Sequence, residues 1–428
     1  MSDVELNRSA SMGALVHSQD GACALTPSLR QGLVRLEPAL ANAWRLGDNI
    51  VIAWTRAREH IRFVAVRHYM IIEAFGNDDQ AQTGTSSAGA AINEILAGPK
   101  FVNQDDFDRI CRIFGSAAQV VETMWDSHDD SASLHAISTL VARYGVTLVR
   151  GSAAMLVDIV GFSLRTPLEQ VAMLNSLSYS INSAYCQLLA KDIYVNFSRS
   201  TTGDGFYIWN RNTHGDANIA LYKLLMLTLA DNAIARRKAR RFPVPELRTA
   251  FHIGEYYEFN SAEALNPASF GYIVGQATID LSRMIERALP GQIIMGDFTF
   301  GRNDDRPGKQ SAYGTPDFVE STAVTLCELN GMTVSDDNIK AIRCYLTGQR
   351  TREGHFTTAP YSIRDKHGVI RRVYNAKINI HLNMRETIFL GIQHKDLLSS
   401  MEMAPLCVGP DEAGDGPIAT HPASFATA

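Results

Sequence analysis

No stretch of about 18 residues in this 428-residue chain is free of charge, so no segment reads as a membrane span. The N-terminus lacks a basic region followed by an apolar run, and export is not expected. None of the six cysteines has C-x-x-C spacing, and no His/Cys cluster points to zinc. Cys23, Cys111, Cys186, Cys327, Cys344 and Cys407 are dispersed, mostly in apolar contexts, and read as reduced core thiols of a cytoplasmic protein. The glycines of Gly76-Asn77-Asp78-Asp79 and Thr83-Gly84-Thr85-Ser86-Ser87 are not followed by Gly-Lys-Ser/Thr, which excludes a P-loop. A net charge of −5 without interleaved aromatics argues against nucleic acid as a partner. The run Arg236-Arg237-Lys238-Ala239-Arg240-Arg241 keeps that rival reading open, but it also fits a solvated helix end complementing the helix dipole. With 46% apolar residues the chain can bury a sizeable core, and its length suggests two to three domains.

What is present centres on two aspartates. Met155-Leu156-Val157-Asp158-Ile159 and Thr202-Gly203-Asp204-Gly205-Phe206 each bring an aspartate to the end of an apolar strand. A charge closing a buried strand is costly unless a cation or a hydrogen-bond network meets it, and two such carboxylates suggest a shared hard cation with oxygen ligands. Around Asp158 the pattern is strand into helix: Thr166 caps, Pro167 takes the first helical position, and a periodic segment runs from Val171 to Leu189. Around Asp204 it is a hairpin, with Asn196 to Ser200 and Gly205 to Trp209 flanking a glycine-bearing turn. The alternative is that Asp158 caps a turn and Asp204 is an ordinary hairpin residue.

In order and spacing these segments resemble the class III nucleotidyl cyclases, over about residues 151 to 302 and again near 360 to 382. Asp158-Ile159-Val160-Gly161-Phe162-Ser163 resembles the first metal motif, implying Asp158 and the Ile159 carbonyl as ligands, and Thr202 to Phe206 the second, implying Asp204. Arg248 lies in a segment similar to the strand that carries a phosphate-binding arginine. Arg283 lies in one similar to the helix whose arginine reaches the partner's substrate, and Asp365-Lys366-His367-Gly368 resembles the hairpin that supplies a phosphate lysine. The resemblance implies an α+β fold: an antiparallel sheet flanked by helices, with a ferredoxin-like core. It also implies two divalent cations, Mn²⁺ or Mg²⁺, and a homodimer with shared sites, because a single cyclase unit occurs in the chain.

The departures bear on the base. Where purine cyclases place their base-reading side chains, this chain has Ser200 and Tyr272, which fit neither the adenine nor the guanine pair. Tyrosine adds bulk and one hydroxyl, which suits a smaller base. Ile279 stands where many members have an asparagine, and Asp280 cannot be assumed to replace it. Thr202 to Phe206 also lacks the Glu-Phe continuation of the diguanylate cyclases. The pattern resembles a divergent bacterial branch that includes the Pycsar antiphage pyrimidine cyclases. That implies UTP or CTP as substrate, UTP first, and a cyclic nucleotide read by a downstream effector protein. The alternatives are an adenylate or guanylate cyclase and a non-catalytic dimeric signalling module.

The expected organisation is a mainly helical region over residues 1–150, the catalytic core over 151–302, a helical insertion over 303–358, the return of the core over 359–398, and a flexible tail over 399–428. Helical spacing is read near Leu33 to Trp44, Val51 to Phe75, Asp105 to Trp125 and Ser131 to Tyr144, and in the insertion around Asp317 to Asn330 and Ser335 to Leu346.

Overall fold

A computed structural model describes residues 26–57, 60–76, 87–123, 131–212, 215–239, 244–262, 269–303, 310–334, 337–348, 358–397 and 402–403. The expectations for residues 1–25, for the glycine-bearing 77–86, for Arg240-Arg241 and for the tail beyond 403 lie outside these, as do Cys23 and Cys407.

The N-terminal region is helix-rich but holds its own small sheet. Helix α1 (Pro27–Trp44) starts at Thr26, whose side chain accepts from the Leu29 amide, with proline in the first turn. Strands β1 (Asn49–Ala57) and β2 (His60–Arg67) follow, then α2 (His68–Gly76), α3 (Ser87–Ala97), α4 (Gln104–Ile113), β3 (Gln119–Glu122) and α5 (Ser131–Ala142). Val51 to Phe75 is therefore mostly a hairpin, not a helix, and Asp105 to Trp125 is a helix followed by a strand. Leu29, Leu33, Leu36 and Leu40 of α1 bury one face of the sheet together with Trp54, Phe63 and residues of α5. Ile52, Val64 and Val66 face Phe107 and Ile110 of α4 on the other side.

The rest of the described chain is built on one mixed sheet. Its elements are β4 (Val146–Ile159), α6 (Pro167–Leu189), β5 (Phe197–Thr201), β6 (Gly205–Asn210), α7 (Gly215–Lys238), β7 (Leu247–Ala262), β8 (Ser269–Val274), α8 (Gln276–Arg287), β9 (Ile293–Gly296), β10 (Thr299–Asn303), β11 (Gln310–Gly314), α9 (Thr315–Thr325), β12 (Thr333–Val334), β13 (Asp337–Thr347), β14 (Tyr361–Arg364), β15 (Ile370–Leu382) and β16 (Ile388–Leu390). The strand order of the main sheet is β12-β13-β15-β9-β7-β4-β6-β5, with β14 and β16 on β15 and β8 on β7, while β10 and β11 pair with each other in a separate two-stranded sheet. The β7/β9 pair is parallel; the other named pairs are antiparallel.

This is an α+β fold with helices on both faces of a central sheet. Met155, Val157 and Phe251 face α6 and α7, while Ala154, Leu156 and Ala250 face Ala277, Leu281, Met284 and Ile285 of α8. Alternation along β4 and β7 then turns Asp158 and Arg248 to the α8 side. The predicted capping of α6 is present: the Thr166 side chain accepts from the Glu169 amide, and the Glu169 carboxylate accepts from the Thr166 amide. The insertion contributes α9, but Ser335 to Leu346 is not a second helix. Asp337–Thr347 is a strand that extends the main sheet by pairing with β15. Of the four described cysteines only Cys344 is a core thiol; Cys186 and Cys327 are exposed and Cys111 is partly so. No helix among the described residues is long and apolar enough to cross a membrane.

Candidate active site

The two aspartates meet through strand pairing. Asp158 stands opposite Gly205 of β6 and opposite Arg248 of β7. The Ile159 amide donates to the Asp204 carbonyl at 3.0 Å, so Asp204 is pinned to the end of β4. Thr202 Oγ1 donates to Asp204 Oδ1 at 3.2 Å, and Gly203, at φ +99°, makes the turn that a side chain would disfavour. Gly205 lies so close to β4 that a Cβ there would overlap the Val157 carbonyl oxygen. The Asp158 side chain is 7% exposed, and its Oδ2 accepts from Arg248 Nε at 2.6 Å. Arg248 Nη1 also donates to the Ala288 carbonyl at the end of α8, at 3.3 Å.

The electrostatics of this corner favour a cation. Burial pushes the Asp158 carboxyl above its ordinary range; Arg248 opposes the rise, and the neighbouring Asp204 charge adds to it. Two carboxylates against one guanidinium leave an excess negative charge, which a divalent ion with oxygen ligands would neutralise. Asp158 and Asp204 offer the hard oxygen donors such ions take, and Ile159 closes β4 beside them. Among the described residues no group of three or more His, Cys, Asp or Glu gathers into a metal cage. Two carboxylates suit ions that take their other oxygens from a phosphate-bearing substrate.

Arg283 and Lys366 fall in a second group. Arg283 projects from α8 and is 16% exposed, with Nη1 donating to Glu286 at 2.7 Å. Lys366 sits exposed at the tip of the β14–β15 turn, which Asp365 closes by accepting from the His367 and Val369 amides at 2.8 and 2.9 Å. Asp365 joins these two: its Oδ2 lies 3.9 Å from Arg283 Nε. Ser200 on β5 pairs with Tyr207 of β6, whose hydroxyl donates to the Thr278 carbonyl of α8 at 3.3 Å. Tyr272 on β8 is 40% exposed and stacks on Phe259 with centroids 5.7 Å apart. Strands β5 and β8 lie against each other, which brings the Ser200 and Tyr272 strands together.

Three charged residues of the second group escaped the sequence reading as a unit. Arg371 of β15 donates through Nε to Asp280 Oδ1 at 2.7 Å and through Nη1 to Asp365 Oδ2. Burial pushes the Asp365 carboxyl up, but Arg371 and the two turn amides more than offset it and hold it below the usual range. One sequence signal existed: an arginine a few residues past a hairpin glycine, within a strand otherwise rich in apolar residues.

No protein-family model and no curated protein matches the sequence. Several solved structures are similar in part. The guanylyl cyclase Cya2 is 11% identical, with 54% of this chain and 92% of that chain covered at a TM-score of 0.32. The guanylate cyclase domain of RhGC from Catenaria anguillulae in complex with GTP is 10% identical, with 56% and 100% covered at 0.33. The adenylyl cyclase CyaB from P. aeruginosa is 12% identical, with 57% and 98% covered at 0.31. These are partial likenesses, and the fold assignment stands on the strand order and pairing described above.

Proposed function

We propose that the chain is a class III nucleotidyl cyclase that acts as a homodimer and converts a pyrimidine ribonucleoside triphosphate, UTP first, to its 3′,5′-cyclic nucleotide and diphosphate. The observation that carries this reading is the convergence of Asp158 and Asp204 on adjoining strand ends, on a surplus of negative charge. In the reaction the ribose 3′-hydroxyl releases its proton to solvent, the 3′-oxygen bonds to the α-phosphorus, and the bond from that phosphorus to the bridging oxygen breaks. Diphosphate leaves with the electron pair. Two divalent cations, Mn²⁺ or Mg²⁺, held by Asp158, Asp204 and the Ile159 carbonyl, would supply polarisation of the 3′-oxygen and charge neutralisation on the phosphates.

The chain's own residues do the rest. Arg283 presents a planar fork to the α-phosphoryl oxygens, where charge develops, and Lys366 meets the outer phosphates as a point charge. Arg248 shares that task while its Nε keeps Asp158 oriented. Each chain carries both a carboxylate group and an Arg283/Lys366 group, so in a two-fold dimer the first can face the partner's second, giving two equivalent sites. Ser200 and Tyr272 support a pyrimidine, since both hydroxyls can donate to the O4 acceptor of uracil, whereas neither offers the charged edge contacts of the purine readers. The family resemblance adds a role for the product as a second messenger in phage defence, read by a cyclic-nucleotide effector.

The test is competition among equal concentrations of the four ribonucleoside triphosphates with Mn²⁺ or Mg²⁺, the products being identified by mass. Cyclic UMP should dominate. Cyclic CMP as main product would overturn only the ranking, cyclic AMP or cyclic GMP the pyrimidine reading, and no cyclic product the cyclase reading.

A further inference from the structure

We propose that Arg371 is a positioning residue that fastens the Lys366 turn to the Arg283 helix, so that the two cations meeting the triphosphate are presented as one rigid unit. This rests on the cyclase reading for its functional meaning but not for its geometry. Arg371 is 15% exposed and reaches in two directions. Its Nε holds Asp280, three residues before Arg283 on α8, and its Nη1 holds Asp365, the residue before Lys366. Asp365 spends its other oxygen on the His367 and Val369 amides, so the guanidinium, the turn and the lysine backbone form one hydrogen-bonded frame. Gln276 Nε2 also donates to Asp280 at 2.8 Å, fixing that carboxylate against the first turn of α8. His252 Nε2 faces the other Asp280 oxygen at 3.8 Å.

The competition for Asp365 explains why a second arginine is needed. Arg283 Nε is 3.9 Å from the same Oδ2 that Arg371 holds, beyond hydrogen-bonding distance. Arg371 therefore occupies the carboxylate that would otherwise capture Arg283 and turn its fork away from a phosphoryl group. Lysine cannot replace it fully, because bridging two carboxylates in different directions uses the fixed fork of the guanidinium.

Two readouts test this. Hydrogen exchange of the purified chain follows the His367 and Val369 amides without any need for turnover. In Arg371→Ala the Asp365 carboxylate that accepts from both amides loses its charged anchor, so both should exchange about tenfold faster or more, with β4 amides unchanged. Arg371→Lys should fall between, and it serves as the second variant if the alanine chain does not fold. In turnover, Arg371→Ala should lower kcat by about 100-fold, the scale of a misplacement near 1 Å, with KM changed far less. Arg371→Ala chains should regain activity when mixed with Asp204→Ala chains but not with Arg283→Ala chains. Unchanged exchange at the two amides would overturn the proposal whatever the activity, as would a wild-type kcat in Arg371→Ala. Absence of any cyclic product from the wild-type chain, with the exchange result as expected, would overturn the cyclase reading and leave the fastening role standing.

Discussion

Replacing Gly205 with alanine should inactivate the site without touching a charged residue. Gly205 is buried opposite Asp158, and a Cβ there would overlap the Val157 carbonyl oxygen and lie 3.0 Å from Asp158 Cα. Carbon atoms rest at about 3.5–4.0 Å, so β4 and β6 would have to part by an amount on the order of 1 Å. Overpacking of this kind costs about 1–3 kcal/mol, which a domain of ordinary stability survives. The parting falls between the two aspartates, however, because Asp204 is joined to Gly205 and is pinned to Ile159. A 1 Å misplacement in a reacting constellation lowers the rate by about 100-fold. The assay is cyclic-nucleotide formation alongside a thermal melt. Gly331→Ala serves as control, since Gly331 lies at φ +77° with nothing within 4 Å of a Cβ, so that strain without overlap should cost about 1 kcal/mol and leave turnover intact. A Gly205→Ala chain that turns over at the wild-type rate would refute the claim that this strand spacing sets the carboxylate geometry.

Arg248→Ala should move the acid limb of the rate–pH profile upward. Arg248 favours the ionised form of Asp158 against burial and the Asp204 charge, so removing it raises the pH at which Asp158 becomes a competent cation ligand; an unmoved limb at fixed metal concentration contradicts this. Lys100→Met should stabilise the chain by about 3 kcal/mol at pH 7, because burial holds the Lys100 ammonium at about 8 instead of 10.5. A lowered folded-state value means the penalty is full below 8 and fades toward 10.5. Denaturant unfolding should therefore show the gain at pH 7 shrinking by pH 9.5, and a gain independent of pH would contradict the assignment.

Much of the site was legible because its signals are local. The cap at Thr166 and Pro167 and the glycine-bearing turn at Gly203 each follow from backbone rules spanning a few residues, and they placed Asp158 and Asp204 on the right elements, while the Lys366 hairpin was legible only through the family resemblance. Val51 to Phe75 misled because β1 and β2 are buried on both faces, so apolar residues occur in runs without alternation, and period alone cannot separate such strands from a helix. Asp337 to Thr347 misled for a different reason. A register shift between Ile339 and Ala341 puts Ile339 and Ile342 on the buried side three residues apart, which imitates a helical repeat. The Arg371 bridge was only half legible: Asp365 lies six residues away across the hairpin, but the Asp280 partner is 91 residues away and comes within reach only when the sheet and α8 pack together.

Sites shared across a dimer require complementary half-sites, and mixing two dead chains tests for them most directly. Asp204→Ala should lose turnover by losing a cation ligand and Arg283→Ala by losing the phosphoryl contact, each with its fold retained. In mixed dimers one of the two sites collects both lesions and the other none, so cyclic-nucleotide formation should return to about a quarter of the wild-type rate for equal amounts, half the dimers being mixed with one intact site each. Mixed dimers demonstrated in solution and still inactive would mean that the sites are not shared between chains.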